Sequence, residues 1–271
     1  TFDKYCYITV RHLPRFFNYS EEIIYSKTER VTTVDEIRHP AVREAMKWLD
    51  MHELHVAYDA DLPARTGLGT SSSFAVGLLN AFYALKGKCR SKLQLAKDAI
   101  YLERTLCAEK GGIQDQIATS FGGLNRIEFT AEGFMVSPII ISPERKHALE
   151  RSLMLFYTGI SRFSTDVQEE HSKTIKEKTS ELLEMLSLVP AAEKILTDKS
   201  DLAEFGKLLD YCWKLKRGLT SCISTKEIDI IYNKAINAGA IGGKLLGAGG
   251  GGFLLFYVPL ELQKTVRNEL S

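Results

Sequence analysis

The sequence has 271 residues, of which 45% are hydrophobic and 25% charged, and its formal net charge is +1. This length suits one large domain or two ordinary ones, and the composition is that of a soluble globular protein. The balanced charge excludes a bulk field that would recruit nucleic acid or an anionic membrane. The apolar runs are too short to span a bilayer. Five scattered cysteines, without a C-x-x-C pair, predict reduced thiols in a cytoplasmic protein.

The first part of the chain mixes strand and helix patterns. Aromatic and β-branched runs predict strands, whereas helical spacing of apolar residues, with Pro40 and Ser91 at two starts, predicts helices. The predicted strands lie at 1–11, 23–30 and 55–59, and the predicted helices at 41–51, 74–85 and 92–107. Two glycine pairs, 111–112 and 122–123, then bracket a short helical segment.

The rest of the chain begins with a predicted hairpin of 124–129 and 134–141. After it we predict a strand at 153–157, a polar loop at 158–165, helices at 166–187, 191–196, 201–215 and 225–238, a strand at 253–258 and a helix at 261–270. The charged segment 144–151 beside Pro143 marks the expected seam between two domains, 1–145 and 146–271.

A loop of glycines and hydroxyls joins the strand 55–59 to the helix 74–85. Its sequence, G-L-G-T-S-S-S at 67–73, combines glycines that let backbone approach a ligand with hydroxyls at a helix N-terminus, where free N–H groups attract anions. It is not a P-loop, because no G-K-[ST] follows, and it lacks the third glycine of a dinucleotide fingerprint. A phosphate cradle and a plain turn with a hydroxyl cap both remain open.

Two carboxylates favour the interpretation of this loop as part of a site for phosphate chemistry. Glu103 lies on an otherwise apolar helix face, and Asp115 lies in a segment flanked by glycines. Hydroxyl and carboxylate oxygens are the ligands that Mg²⁺ prefers beside substrate phosphates, and a second carboxylate could deprotonate an attacking hydroxyl. The alternatives are a solvated helix residue for Glu103 and a helix cap for Asp115.

Four consecutive glycines stand at 249–252, before the last strand. Such a run has a large entropic cost unless the backbone passes close to another group. That group could be a packing partner, a ligand phosphate or the first loop.

Three stretches in this order resemble the motifs of the GHMP kinases (galacto-, homoserine, mevalonate and phosphomevalonate kinases). The stretch 63–72 (P-A-R-T-G-L-G-T-S-S) is similar to the second motif, and 243–252 (G-K-L-L-G-A-G-G-G-G) to the third. The stretches 112–116 (G-I-Q-D-Q) and 121–125 (F-G-G-L-N) are most similar to sugar kinases of the D-glycero-D-manno-heptose 7-phosphate kinase type, with bifunctional fucokinases as near relatives.

The resemblance implies an α+β fold, with an N-terminal domain like domain 2 of ribosomal protein S5 and a ferredoxin-like C-terminal domain. It implies transfer of the γ-phosphate of ATP, with Mg²⁺, to a sugar hydroxyl, such as the anomeric one of a heptose 7-phosphate. The family's first motif, a P-x-R segment with an aspartate, is expected before Thr1. A catalytically silent sugar-binding relative, or another GHMP branch such as a mevalonate-pathway kinase, are the alternatives.

The resemblance also assigns roles to residues. Those expected to wrap the ATP phosphates are Gly67, Leu68, Gly69, Thr70, Ser71 and Ser72. Ser71 and Glu103 match the metal ligands, and Asp115 matches the proposed catalytic base. Those expected at the substrate are Gly247, Ala248, Gly249, Gly250 and Arg162, with Arg162 the preferred cation among Arg65, Lys110, Arg126 and Arg162.

Overall fold

The computed structural model describes residues 1–63, 66–160 and 177–271. Its strands are β1 (Cys6–His12), β2 (Glu21–Ile24), β3 (Thr28–Val31), β4 (Leu54–Ala60), β5 (Asn125–Thr130), β6 (Gly133–Pro138), β7 (Leu153–Tyr157), β8 (Gly242–Leu245) and β9 (Phe253–Tyr257). Its helices are α1 (Pro40–Leu49), α2 (Thr70–Leu85), α3 (Lys92–Tyr101), α4 (Gln114–Phe121), α5 (Pro143–Ser152), α6 (Thr179–Thr197), α7 (Ala203–Arg217), α8 (Lys226–Asn237) and α9 (Gln263–Leu270).

The described residues divide into two compact units. The first unit contains 1–63 and 69–123, and the second contains 66–68, 124–160 and 177–271. The division follows packing within the chain, and the domain boundary at 145/146 stays a prediction.

The first unit is built on a four-stranded sheet in the order β1-β4-β2-β3. β4 pairs antiparallel with β1 and parallel with β2, so it lies inside the sheet. Alternate β4 residues, Leu54 and Val56, point into the core, where they join the fully buried α2 residues Leu78 and Phe82. β4 and α2 are therefore anchored in one core, which holds both ends of the loop between them.

Helix α3 ends differently from its prediction. The regular helix stops at Tyr101 and continues as a π-helical turn, Leu102–Leu106, in which the Cys107 N–H donates to the Leu102 carbonyl at 2.9 Å. Apolar spacing does not reveal such a turn, because it adds one residue to the helical repeat. π-helical turns often occur at functional sites, and this one contains Glu103.

The second unit contains an antiparallel sheet in the order β7-β9-β8. The sequence did not predict β8, since two of its four residues are glycines. Both glycines are required by packing: a Cβ on Gly242 would overlap the Gly206 backbone of α7, and one on Gly243 would overlap the Leu255 carbonyl of β9. On this sheet Trp213 of α7 is fully buried.

Two further segments differ from the predicted elements. The segment 144–151, for which no helix was predicted, lies in the helix α5, whose first turn is capped by Ser142, with Pro143 at the first helical position. Because few residues of α5 are buried, its sequence shows no apolar periodicity that would predict a helix. The break predicted between 187 and 191 does not exist, because α6 continues through Pro190.

Among the residues that the structure describes, none belongs to a helix both long and apolar enough to cross a bilayer.

Candidate active site

The loop between β4 and α2 ends in a left-handed residue. Gly69 is the N-cap of α2, with φ of +70°, and the cap has no side-chain hydrogen bond. The predicted hydroxyl cap is therefore wrong. Helix geometry leaves the N–H groups of the first turn without partners inside the helix, and three hydroxyls of this turn, those of Ser71, Ser72 and Ser73, bond to other elements. Ser73 Oγ, for example, lies 3.3 Å from Thr119 Oγ1 of α4.

Glu103 is the partner of the hydroxyls of Ser71 and Ser72. Ser71 Oγ donates to Glu103 Oε1 at 3.1 Å, Ser72 Oγ donates to Oε2 at 2.9 Å, and the Gln116 amide also donates to Oε2. The side chain of Glu103 is only 2% exposed, which excludes the alternative interpretation of Glu103 as a solvated helix residue. Burial raises the pKa of Glu103, and the three hydrogen bonds oppose that rise.

Asp115 lies in the first turn of α4, beside the N-cap of α2. A Cβ placed on Gly69 would be 3.3 Å from Asp115 Cγ, so a side chain at Gly69 would press on the Asp115 carboxylate. Asp115 is not the cap of its own helix, because the N-cap is Ile113 and has no side-chain bond. Burial raises the pKa of Asp115, and its charge in turn raises the pKa of Glu103.

The hydroxyl and carboxylate of this cluster fit a magnesium ion. In octahedral coordination with Mg–O distances of 2.0–2.1 Å, neighbouring ligand oxygens lie about 3.0 Å apart. Ser71 Oγ and Glu103 Oε1 are 3.1 Å apart. Within residues 1–63, 66–160 and 177–271, no group of three or more His, Cys, Asp or Glu side chains could hold a metal. Mg²⁺ usually takes its further ligands from phosphate and water oxygens.

The second glycine segment packs against the start of the first loop. Gly247, with φ of +69°, would place a Cβ 2.7 Å from the Gly67 Cα, and a Cβ on Gly252 would overlap the Thr66 carbonyl. Gly250 N–H donates to the Ile223 carbonyl at 2.9 Å. Of the explanations for the glycine run, packing against the first loop and against Ile223 is the one seen directly.

The other members of that segment are placed as follows. Gly249 passes within contact of the Ile223 backbone, where a Cβ would be 2.9 Å from Ile223 Cα. Ala248 is partly buried against the core of the second unit. Leu68, between the two loop glycines, is partly buried.

The cations predicted to bind the substrate differ in what the structure describes of them. Arg162 and Arg65 lie outside the described residues, so their role stays a prediction. Arg126 already pairs with Glu128 and, at 3.0 Å, with Glu193.

Sequence reasoning missed two residues. Gln116 follows Asp115 directly, and its burial beside Glu103 was not visible in the sequence. Lys216, in the last turn of α7, donates from Nζ to the Gly247 carbonyl at 2.6 Å. Desolvation and the charge of Lys244 lower the pKa of Lys216 to about 8. In the sequence it was hidden among the cations that commonly end a helix.

Comparison with known families follows the same division of the chain. The family described as "GHMP kinases N terminal domain" matches residues 35–123, and "GHMP kinases C terminal" matches residues 188–271. The chain belongs to the GHMP kinase family. The predicted class of fold, a two-domain α+β fold of that family, is confirmed.

Two relatives at 30% identity or more are kinases of sugars. Over 216 residues the chain is 33% identical to D-glycero-alpha-D-manno-heptose 7-phosphate kinase of Campylobacter jejuni, which covers 78% of this chain and 64% of the relative. It is 30% identical over 225 residues to L-fucokinase/L-fucose-1-P guanylyltransferase of Bacteroides fragilis, covering 79% of this chain and 23% of that protein. The chain thus spans less than two thirds of the length of either relative.

A solved structure shows the same fold. The crystal structure of a D-glycero-D-manno-heptose 1-phosphate kinase from Bacteroides thetaiotaomicron superimposes with a TM-score of 0.72 at 24% identity, covering 99% of this chain and 81% of the other.

The contact between Gly247 and Gly67 can be tested with a matched pair of variants. Gly159 has a similar φ, +73°, but a Cβ there would meet nothing within 4 Å. We expect Gly159→Ala to lower the free energy of unfolding by about 1 kcal/mol, the cost of a left-handed alanine. Gly247→Ala should lower it by about 1–3 kcal/mol more, because backbone must also move. Urea unfolding measures both, and equal losses would contradict the close contact.

Proposed function

We propose that this chain carries the active site of an ATP- and Mg²⁺-dependent kinase that phosphorylates a sugar hydroxyl. The observation that carries the proposal is the cluster of the Ser71 hydroxyl and the buried Glu103 carboxylate, 3.1 Å apart, beside Asp115 and the glycine N-cap of α2. Its family and its similarity to a heptose 7-phosphate kinase support a phosphorylated heptose as the acceptor.

The phosphates of ATP would lie at the N-terminus of α2. The N–H groups of its first turn and the end of the helix dipole favour negative charge. Gly69 lets the backbone turn there in a left-handed conformation, and its missing side chain leaves room for Asp115. Ser71 and Glu103 would hold Mg²⁺, which supplies charge neutralisation between the β- and γ-phosphates when bound.

Asp115 is the base of the proposed reaction. The acceptor hydroxyl would pass its proton to the Asp115 carboxylate while its oxygen attacks the γ-phosphorus. The bond from the γ-phosphorus to the oxygen shared with the β-phosphate would break, and ADP would leave with that electron pair. Burial raises the pKa of Asp115, and a carboxylate of higher pKa accepts a proton more readily. Glu103 accepts hydrogen bonds from three donors. These bonds hold its carboxylate for metal binding, so Glu103 is not free to exchange a proton.

The activity itself is tested by ADP release on a panel of acceptors. The full-length protein is incubated with Mg·ATP and D-glycero-D-manno-heptose 7-phosphate, the unphosphorylated heptose, L-fucose, galactose or mevalonate. We expect the heptose 7-phosphate to have the highest kcat/KM. Preferred turnover of L-fucose would assign the fucokinase branch. Sugar binding by calorimetry without turnover of any acceptor would identify a silent sugar-binding relative and reject the kinase.

The role of Asp115 as the base predicts that its substitution slows the chemical step and leaves nucleotide binding unchanged. Asp115→Asn keeps the size and the contact with Gly69 but removes the proton acceptor. We expect kcat to fall by about 10²- to 10⁴-fold, the contribution typical of a general base, while the Kd for Mg·ATP stays within a factor of two to three. Single-turnover kinetics and nucleotide titration measure the two quantities. Wild-type kcat in this variant would remove Asp115 from the mechanism.

The role of Glu103 predicts a change in the magnesium requirement. Glu103→Gln should raise the Mg²⁺ concentration for half-maximal activity by about 10- to 100-fold. The control is Asp98→Asn, another buried carboxylate, on α3, which accepts hydrogen bonds from Tyr83 and Gln94. Both variants remove a buried charge, but only the first is expected to shift the magnesium curve. A shift of equal size in both would show that the effect is structural.

A further inference from the structure

The two oxygens of the Glu103 carboxylate are occupied unequally. Oε2 accepts from two donors, Ser72 Oγ at 2.9 Å and the Gln116 amide Nε2. Among the residues that the structure describes, Oε1 accepts from Ser71 Oγ alone, at 3.1 Å. A carboxylate offers about four acceptor positions, two on each oxygen. Both positions on Oε2 are therefore filled, and the position that is left for a metal ion lies on Oε1.

The orientation of the Gln116 amide follows from the chemistry of its partner. A carboxylate oxygen accepts hydrogen bonds, so the group that faces Glu103 Oε2 is the NH₂ of the amide and not its oxygen. The amide oxygen is buried and has no hydrogen-bond partner within 1–63, 66–160 and 177–271. Because the Gln116 side chain is only 4% exposed, water does not readily replace that partner.

A buried amide that is only half satisfied is unfavourable for stability. Its unpaired oxygen costs free energy that an apolar side chain of the same length, such as methionine, would avoid. Packing alone therefore does not explain a glutamine at this position. What methionine would not provide is the hydrogen bond to Glu103 Oε2. Compensation of the buried Glu103 charge would account for that bond as well, but it would not depend on which metal ion is bound.

The single free position on Glu103 bears on the choice of metal ion. Mg²⁺ takes about six oxygens in near-ideal octahedral geometry at about 2.0–2.1 Å, whereas Ca²⁺ takes about six to eight at about 2.3–2.6 Å and accepts both oxygens of one carboxylate. With Oε2 held by two donors, Glu103 offers Oε1 only, 3.1 Å from Ser71 Oγ. This arrangement suits the smaller ion and withholds the second oxygen that the larger ion would take.

We propose that Gln116 is a positioning residue that keeps Glu103 a ligand through one oxygen, and that it thereby makes the site prefer Mg²⁺ to Ca²⁺. Ser72 contributes as the other donor to Oε2. The inference rests on the proposed function for the presence of metal and nucleotide, and on the hydrogen bonds of Glu103 for the role of Gln116. All the residues that carry it lie in 69–123, within the first compact unit.

The preference is measured by nucleotide binding, without turnover. Calorimetry of the full-length protein gives the Kd of the non-hydrolysable analogue β,γ-imido-ATP with saturating Mg²⁺, with saturating Ca²⁺ and with EDTA. Gln116→Met keeps the length of the side chain and removes the donor. We expect its Kd with Mg²⁺ to rise by about 10- to 100-fold, as for a lost partner of a metal ligand, and its Kd with Ca²⁺ to stay within a factor of about two, because Oε2 becomes available. The ratio of the Ca²⁺ Kd to the Mg²⁺ Kd should therefore fall at least about fivefold.

Two further variants separate this effect from a folding defect. Ser72→Ala removes the other donor to Oε2 and should lower the same ratio; any effect of Ser72 on the nucleotide itself acts with both ions and cancels. Gln94→Met is the matched control, because the Gln94 amide donates to the buried carboxylate of Asp98 at 2.8 Å, and it should keep the wild-type ratio. Urea unfolding without metal shows which variants fold, and Ser72→Ala carries the test if Gln116→Met does not.

Three other results have distinct meanings. Equal weakening with Mg²⁺ and Ca²⁺ in Gln116→Met and Ser72→Ala would overturn the inference and leave Gln116 only the compensation of a buried charge. A wild-type Kd that is the same in EDTA as in Mg²⁺ would overturn the metal site and both proposals with it. A lowered ratio in a protein that turns over no acceptor would keep the role of Gln116 and reject the kinase.

Discussion

The buried carboxylate of Glu103 is the interaction on which the candidate site depends. A buried charge is costly unless donors surround it, and here the donors come from α2 and α4 while Glu103 lies in the π-helical turn after α3. The cost of leaving that charge unpaired ties the three elements together. Because α4 is held in this way, Asp115 in its first turn lies against the N-cap of α2.

The second constraint is close packing of backbone on backbone. Gly67 and Gly247 meet where neither tolerates a side chain, and Gly252 lies as closely against Thr66. Glycine loses more backbone entropy on folding than any other residue, so these positions are explained by contact and not by flexibility. The conformation of the first loop at 66–67 thus depends on a segment about 180 residues later in the chain.

Charge is arranged locally in a chain whose net charge is only +1. The first unit concentrates two carboxylates with raised pKa values around the start of α2. The second unit holds the Lys216 ammonium, whose pKa is lowered by desolvation, against the Gly247 carbonyl. An averaged composition predicts no strong overall charge but could not reveal either group, because both are made by tertiary contacts.

The sequence by itself determined the order of most elements, the glycine and hydroxyl loop, Asp115 and, through its motifs, the family. These are visible because periodicity, turn residues and motif spacing are properties of neighbouring residues. Only the tertiary structure decided that Ser71 and Ser72 bond to Glu103 instead of capping their helix, that β8 is a strand, and that Lys216 reaches Gly247. Each of these depends on a partner more than ten residues away, and local pattern contains no information about which distant group will satisfy a polar atom.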